Sequence, residues 1–79
     1  MDNGLKDLLA DVFAIPVGDI TPELTKENVG AWDSLKQMDL VISIERKYNI
    51  TLEISDIVSM DSVSSIIDVL QKRGVDIGN

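Results

Sequence analysis

Apolar residues recur at helical spacing in three segments of the chain, at about residues 3–15, 33–49 and 61–73. Such a period predicts amphipathic helices, each with one face toward a shared core. The pattern therefore favours an all-α fold built around three main helices. The predicted core positions are Leu5, Leu8, Leu9, Val12, Phe13, Leu40, Val41, Ile44, Tyr48, Val63, Ile66, Ile67 and Leu70.

The stretch between the first two helices is long and has no sustained period. Residues 17–32 are punctuated by glycine and proline, and a loop of this length in a small domain is more often functional than not. Residues 50–54 alternate apolar and polar side chains but have no partner strand, so we interpret them as an extended connector. Residues 55–59 predict one short helical turn, with Asp56 near its start.

These segments together predict a single domain over residues 1–79. Its architecture is a small four-helix bundle, with three main helices, one short helix and a long first loop. Lys72 and Arg73 suit the negative end of the last helix, and Gly74 ends that helix. Residues 75–79 are expected to form a loose tail.

The second helix carries a second apolar stripe, formed by Leu35, Met38 and Ile42. At about 100° per residue, this stripe is offset from the core face by well over a quarter turn. A helix in a small bundle rarely needs two apolar faces. The second stripe is therefore either exposed for contact with a partner or covered by the long first loop.

Composition excludes several kinds of function. The chain has no cysteine and no histidine, which removes thiolate chemistry, the commonest general base and the commonest metal ligand. Its formal charge of −7 disfavours nucleic acid as a partner, because phosphate binding needs clustered basic residues. Neither a signal peptide nor a membrane-spanning run is evident, so we expect a cytoplasmic protein without membrane insertion.

One constellation stands out, the run Gly30-Ala31-Trp32-Asp33-Ser34-Leu35 at the start of the second helix. With the helix pattern and the acidity of the chain, it resembles the acyl carrier protein family, whose signature is Asp-Ser-Leu at this place. The resemblance covers nearly the whole chain. It implies a carrier rather than an enzyme, with an acyl group held as a thioester on a 4'-phosphopantetheine arm attached to Ser34.

The resemblance also assigns roles to neighbouring residues. It implies that Asp33 helps a phosphopantetheinyl transferase to position coenzyme A and its magnesium ion. It implies that Leu35, Met38, Asp39 and Ile42 face partner enzymes, and the second apolar stripe coincides with them. The expected partners are the transferase and acyl-transferring or acyl-activating enzymes with basic docking surfaces, which meet a monomeric carrier.

Structural interpretations of the same residues stay open on the sequence alone. Ser34 with Gln37 three residues later matches a capping box, and Asp33 serves equally well as the helix cap. Trp32 is either a core anchor of the loop or part of the surface that partners contact.

The class of carrier is a further open point. Lys36, Arg46 and Lys47 stand where carriers of general fatty-acid synthesis usually show acids. This departure favours a specialised lipid, polyketide or related pathway. A peptidyl or aminoacyl carrier and an unmodified helical interaction module are the alternatives. A calcium-binding loop is set aside because the acids lack the required spacing.

Overall fold

The computed structural model describes residues 2–30 and 32–77, and its helices agree with the sequence pattern. Within the described residues no strand forms, and one isolated bridge joins Thr25 to Ser62. The prediction of an all-α, four-helix fold with a long first loop is confirmed. The helices are α1 (Asn3–Phe13), α2 (Ser34–Tyr48), α3 (Ile54–Ser59) and α4 (Val63–Lys72), with one 3-10 turn at Val17–Asp19.

The core consists of the stripes that the period predicts. Leu8, Tyr48 and Ile67 are half-buried, and the other predicted core residues are buried. The core also contains apolar side chains from the loops and from the end of the chain, which lack a helical period. These are Ile20, Val29, Trp32, Leu52, Met60 and Ile77. Val69 of α4 is a further buried residue that was not predicted.

Helix α1 ends two residues before the predicted position. Asp2 caps its start, where the Asp2 Oδ1 atom accepts a hydrogen bond of 2.8 Å from the Leu5 N–H. At its end, Ala14 adopts a left-handed conformation with φ 56°, and its N–H donates to the carbonyl of Ala10. This left-handed residue turns the chain out of the helix before Ile15.

Helices α1 and α2 run antiparallel. At one end of the pair, the rings of Phe13 and Trp32 lie 4.5 Å apart. At the other end, a Cβ atom on Gly4 would lie 3.1 Å from the Cε atom of Lys47. The last turn of α1 therefore meets the start of α2, and the first turn of α1 meets the end of α2.

The connector after α2 leads α3 back along α2. At the far end of α2, the Glu45 carboxylate accepts a hydrogen bond of 2.8 Å from the Leu52 N–H. Near the start of α2, the Gln37 amide donates to the carbonyls of Ile57 at 2.9 Å and Met60 at 3.2 Å. Residues 50–53 form no regular secondary structure between these contacts, and Ile54, the last residue of the predicted connector, already belongs to α3.

A buried carboxylate joins α3 to the end of α4. The Asp56 side chain has no exposed surface and accepts hydrogen bonds from the Glu53 N–H at 3.0 Å, the Lys72 Nζ at 3.1 Å and the Arg73 Nε at 3.0 Å. The Glu53 N–H, followed by Arg73 and Lys72, lowers the pKa of Asp56 to about 2, although burial opposes this shift. Lys72 and Arg73 therefore have a definite partner beyond the helix dipole.

The long first loop is attached to the start of α4. Ser62 caps this helix by accepting a hydrogen bond of 3.0 Å from the Ser65 N–H. The N–H groups of Val63 and Ser64 then donate to the loop carbonyls of Leu24 at 2.9 Å and Pro22 at 3.0 Å. The first-turn N–H groups of a helix have no partner inside it, so the loop supplies acceptors to two of them.

The prediction of a loose tail is wrong for residues 75–77. Val75 is half-buried against the core, and Ile77 is buried. The Ile77 carbonyl accepts a hydrogen bond of 2.7 Å from the Asp2 N–H. The segment holds only these two apolar side chains, which is too few for a sequence argument to detect a period. Gly78 and Asn79 lie outside the described residues.

No helix in the described part of the chain is long and apolar enough to cross a membrane.

Candidate functional site

The start of α2 is capped by Asp33. The Asp33 Oδ1 atom accepts a hydrogen bond of 2.9 Å from the Lys36 N–H, and the Asp33 carbonyl accepts one of 2.9 Å from the Gln37 N–H. Ser34 is the first residue inside the helix. Of the two caps that the sequence left open, Asp33 is the one observed, so the cap does not require the Ser34 hydroxyl.

The Ser34 side chain is exposed, and its hydroxyl has no hydrogen-bond partner among residues 2–30 and 32–77. An α-helix leaves its first four N–H groups without partners inside the helix. The Asp33 carboxylate accepts from one of these groups, the Lys36 N–H, and the N–H groups of Ser34 and Leu35 stay available. They lie at the positive end of the helix dipole, which favours an anion.

A buried aromatic cluster fixes the backbone that leads into this site. Trp32 is 5% exposed, and its ring packs on Phe13 at a centroid distance of 4.5 Å. Its indole Nε1 donates a hydrogen bond of 2.6 Å to the Gln37 Oε1 atom. Trp32 is therefore a core anchor of the loop. Gln37 belongs to this buried network and to the link with α3, so it takes no part in a capping box with Ser34.

The second apolar stripe of α2 is exposed. Leu35, Met38 and Ile42 are 81%, 51% and 45% exposed, and Asp39 beside them is exposed as well. The long first loop packs against the start of α4 and the core and does not cover the stripe. Of the two possibilities that the period allowed, the open face is the correct one.

Two further exposed apolar residues lie on α3 and were missed by the sequence argument. Ile54 is 80% exposed and Val58 is 75% exposed, and their spacing of four residues places them on one helix face. Met38, Ile42 and Glu45 form one stripe of α2, and Glu45 reaches the connector just before α3. The side of α2 that carries Glu45 therefore faces the connector that leads into α3. Six residues are too few for the period to predict which face of α3 is exposed.

No cluster of three or more potential metal-binding side chains exists in the described part of the chain. The site thus consists of an exposed serine at a fixed helix start, beside an exposed apolar surface. On a small four-helix bundle, this combination defines a carrier-like domain.

Comparison with protein families agrees with this class. The family model described as "Phosphopantetheine attachment site" matches residues 3–70, which is most of the chain. The protein belongs to this family. Domains of the family are sites of covalent 4'-phosphopantetheine attachment. They are typically non-catalytic and generally interact with phosphopantetheinyl transferases and acyl-handling enzymes.

The residues at the start of α2 fit this group. Ser34 offers an exposed hydroxyl, and the first-turn N–H groups of α2 would stabilise a phosphate attached to it. The neighbouring Asp33 carboxylate is held by its hydrogen bond to the Lys36 N–H. The arm would supply a terminal thiol, which the chain does not have, because it contains no cysteine.

Proposed function

We propose that this protein is an acyl carrier protein whose 4'-phosphopantetheine arm is attached to the Ser34 oxygen. The observation that carries the proposal is the exposed Ser34 hydroxyl in the first position of α2, next to a separate capping residue. A hydroxyl that stabilised the helix would be held by the backbone, whereas this one is open to a transferase. The family match supports this proposal over an unmodified interaction module.

Asp33 serves the attachment step in this proposal. One of its carboxylate oxygens caps α2, while the other has no hydrogen-bond partner in the described residues and is oriented by the cap. A carboxylate oxygen is a ligand that Mg²⁺ prefers. The proposed role is therefore to help the transferase bind coenzyme A and its magnesium ion, while the cap keeps the side chain in place.

The exposed surface beside Ser34 is the proposed contact area for partner enzymes. Its apolar part consists of Leu35, Met38 and Ile42 on α2, and Ile54 and Val58 are further exposed apolar residues on α3. Clustered exposed apolar side chains on a small domain mark an interaction site. A partner that covers this surface would bring its own reactive centre to the end of the arm.

Charge gives this surface its selectivity. Asp39 is exposed within the apolar face, and we propose that it pairs with a basic residue on acyl-transferring or acyl-activating partners. A single exposed pair contributes less than about 1 kcal/mol, so its effect is on orientation and rate rather than affinity. Catalysis resides in the partners, and the carrier acts as a monomer.

The proposal assigns the carrier to a specialised lipid, polyketide or related pathway. Although the chain carries −7 overall, the segment Ser34–Tyr48 has three basic and two acidic residues. Arg46 and Lys47 are exposed at its end. Partner enzymes that recognise a strongly acidic second helix would meet like charges there, which disfavours their docking.

Intact mass after incubation with coenzyme A, magnesium and a broad-specificity phosphopantetheinyl transferase tests the attachment site. The protein is expected to gain one phosphopantetheine, and Ser34→Ala is expected to gain none. Ser64→Ala is the matched control, because Ser64 is also exposed in the first turn of a helix. Modification of folded Ser34→Ala, or no modification of the folded parent protein by an active transferase, would reject the proposal.

A further inference from the structure

Helix α2 ends with consecutive charged residues that lie on three different sides of the helix. The Glu45 carboxylate accepts a hydrogen bond of 2.8 Å from the Leu52 N–H, so it is directed toward the connector. Lys47 is directed toward α1, because a Cβ atom on Gly4 would lie 3.1 Å from its Cε atom. At about 100° per residue, Arg46 lies between these two directions, on the side of α2 away from the core, and it is exposed.

Arg46 continues the exposed stripe of α2 beyond Ile42. Leu35, Ile42 and Arg46 are separated by seven and then four residues, and each of these steps returns a helix to within about 40° of the same direction. Asp39 precedes Arg46 by seven residues and therefore shares its face. All four side chains are exposed. The surface beside Ser34 thus extends to the far end of α2 and includes one negative and one positive charge.

The fold uses neither of these two charges. No ion pair or side-chain hydrogen bond in the described part of the chain includes Asp39 or Arg46. The two residues are about 10 Å apart along the helix axis, and no ion pair joins them. A partner that covers this face must therefore supply an opposite charge at each position or leave both charges uncompensated, which disfavours docking.

We propose that Arg46 determines which partner docks, by selecting an acyl-handling enzyme with an acidic side chain opposite Arg46 and a basic side chain opposite Asp39. The inference rests on the proposed function and adds the charge pattern of the partner's docking surface. An enzyme whose docking surface is basic throughout would place a like charge on Arg46, and such a repulsive contact is an effective means of specificity. The effect depends on the position of Arg46, whereas long-range attraction depends on the net charge of the whole protein.

Two adjacent substitutions separate position from net charge. Arg46→Glu and Lys47→Glu change the net charge equally, but Arg46 shares the face of Asp39 and Lys47 is turned about 100° toward α1. The probe is an acyltransferase that serves strongly acidic carriers, and kcat/KM is measured for acyl transfer to the arm of each variant at low salt. Arg46→Glu is expected to raise kcat/KM by about fivefold or more. Lys47→Glu is expected to raise it by less than about twofold, through net charge alone.

A reciprocal change in the acyltransferase tests the proposed acidic side chain directly. Each Lys or Arg on its docking surface is replaced by Glu in turn. One of these enzyme variants is expected to transfer to the parent protein faster than the unaltered acyltransferase does. This gain should be lost with Arg46→Glu and kept with Lys47→Glu, because coupling between two substitutions shows that the two side chains interact.

The possible failures are distinguishable. Intact mass is measured first, and absence of the arm rejects the carrier function together with this inference. Equal effects of Arg46→Glu and Lys47→Glu, or no enzyme variant coupled to Arg46, would overturn the inference and leave the carrier function standing. Circular dichroism checks that each variant is folded. Where a glutamate variant does not fold, Arg46→Gln and Lys47→Gln give the same comparison with a smaller change of charge.

Discussion

The starts of α2 and α3 differ in how their polar groups are used. At the start of α2, Asp33 makes one local cap and the adjacent Ser34 hydroxyl stays exposed, as does the Asp39 carboxylate in the second turn. At the start of α3, Asp56 is fully buried and bonded to the Glu53 N–H and to both basic residues at the end of α4. The polar groups at the start of α2 are accessible to other molecules, whereas those at the start of α3 are bonded within the fold.

Helix length explains the difference. Helix α2 has 15 residues and a long buried face, and none of the ion pairs in the described part of the chain involves its start. Helix α3 has six residues, and an isolated helix so short is not stable in water. Its ion pairs with α4 supply the stability that so short a helix lacks on its own. The polar groups that are available for function are therefore those that the fold does not require.

The largest stability effect is expected at Asp56. Asp56→Ala removes the buried partner of Lys72 and Arg73 and the acceptor of the Glu53 N–H, and breaking a buried pair is strongly destabilising. The expected result is the lowest denaturation midpoint of the variants discussed here, with α3 losing hydrogen-exchange protection first. Urea unfolding and hydrogen exchange provide the measurements. An unchanged midpoint would show that α3 is held by packing alone.

A pH dependence should follow from the same carboxylate. The pKa of Asp56 is about 2 in the folded protein against an ordinary value of 3.8. Between these two values the unfolded chain binds more protons, so the free energy of unfolding falls as the pH is lowered through this window. The contribution of Asp56 is fully present above the window. Urea unfolding from pH 5 down to pH 2 is expected to show this fall in the parent protein and a shallower one in Asp56→Asn.

A smaller loss is expected at the other helix start. Asp33→Ala removes the cap of α2 and should lower the free energy of unfolding by about 1 kcal/mol. Asp33→Asn keeps an acceptor oxygen for the Lys36 N–H and should restore most of this loss. The rate of arm transfer to Asp33→Asn separates capping from the proposed role in magnesium binding, because Asn lacks the negative charge of the carboxylate. Full transfer activity in Asp33→Asn would contradict that role.

The smallest effect on stability is expected at Ser34. Ser34→Ala should change the free energy of unfolding by less than about 0.5 kcal/mol, because no bond of the fold depends on its hydroxyl. Ser62→Ala is the matched comparison. The Ser62 hydroxyl caps α4, so its removal should lower the free energy of unfolding by about 1 kcal/mol. Equal losses at the two serines, measured by urea unfolding, would mean that Ser34 has a structural role after all.

Local patterns predicted much of this structure. The apolar period located all three main helices, and short-range chemistry narrowed the cap of α2 to Asp33 or Ser34, of which Asp33 is observed. The period of α2 also revealed that Leu35, Met38 and Ile42 do not belong to the core. These features depend on residues three or four positions apart, which a sequence displays directly.

The features that were missed depend on distant residues. Asp56 is 16 and 17 positions from its partners Lys72 and Arg73, and Gln37 lies 20 positions from Ile57. The apolar period within a helix carries no information about which distant residues are in contact. Ile77 is an isolated apolar side chain, and its burial depends on where α1 leaves space for it.

The hydrogen bond between the Asp2 N–H and the Ile77 carbonyl has a practical consequence. It places the first and last described residues side by side, next to the first turn of α1 and thus near the Lys47 end of α2. Ser34 is at the opposite end of that helix, about 20 Å away for a helix of this length. A label, a solid support or a fused domain attached through residues at either end would be held away from Ser34. Such an arrangement would leave the serine free to face a transferase.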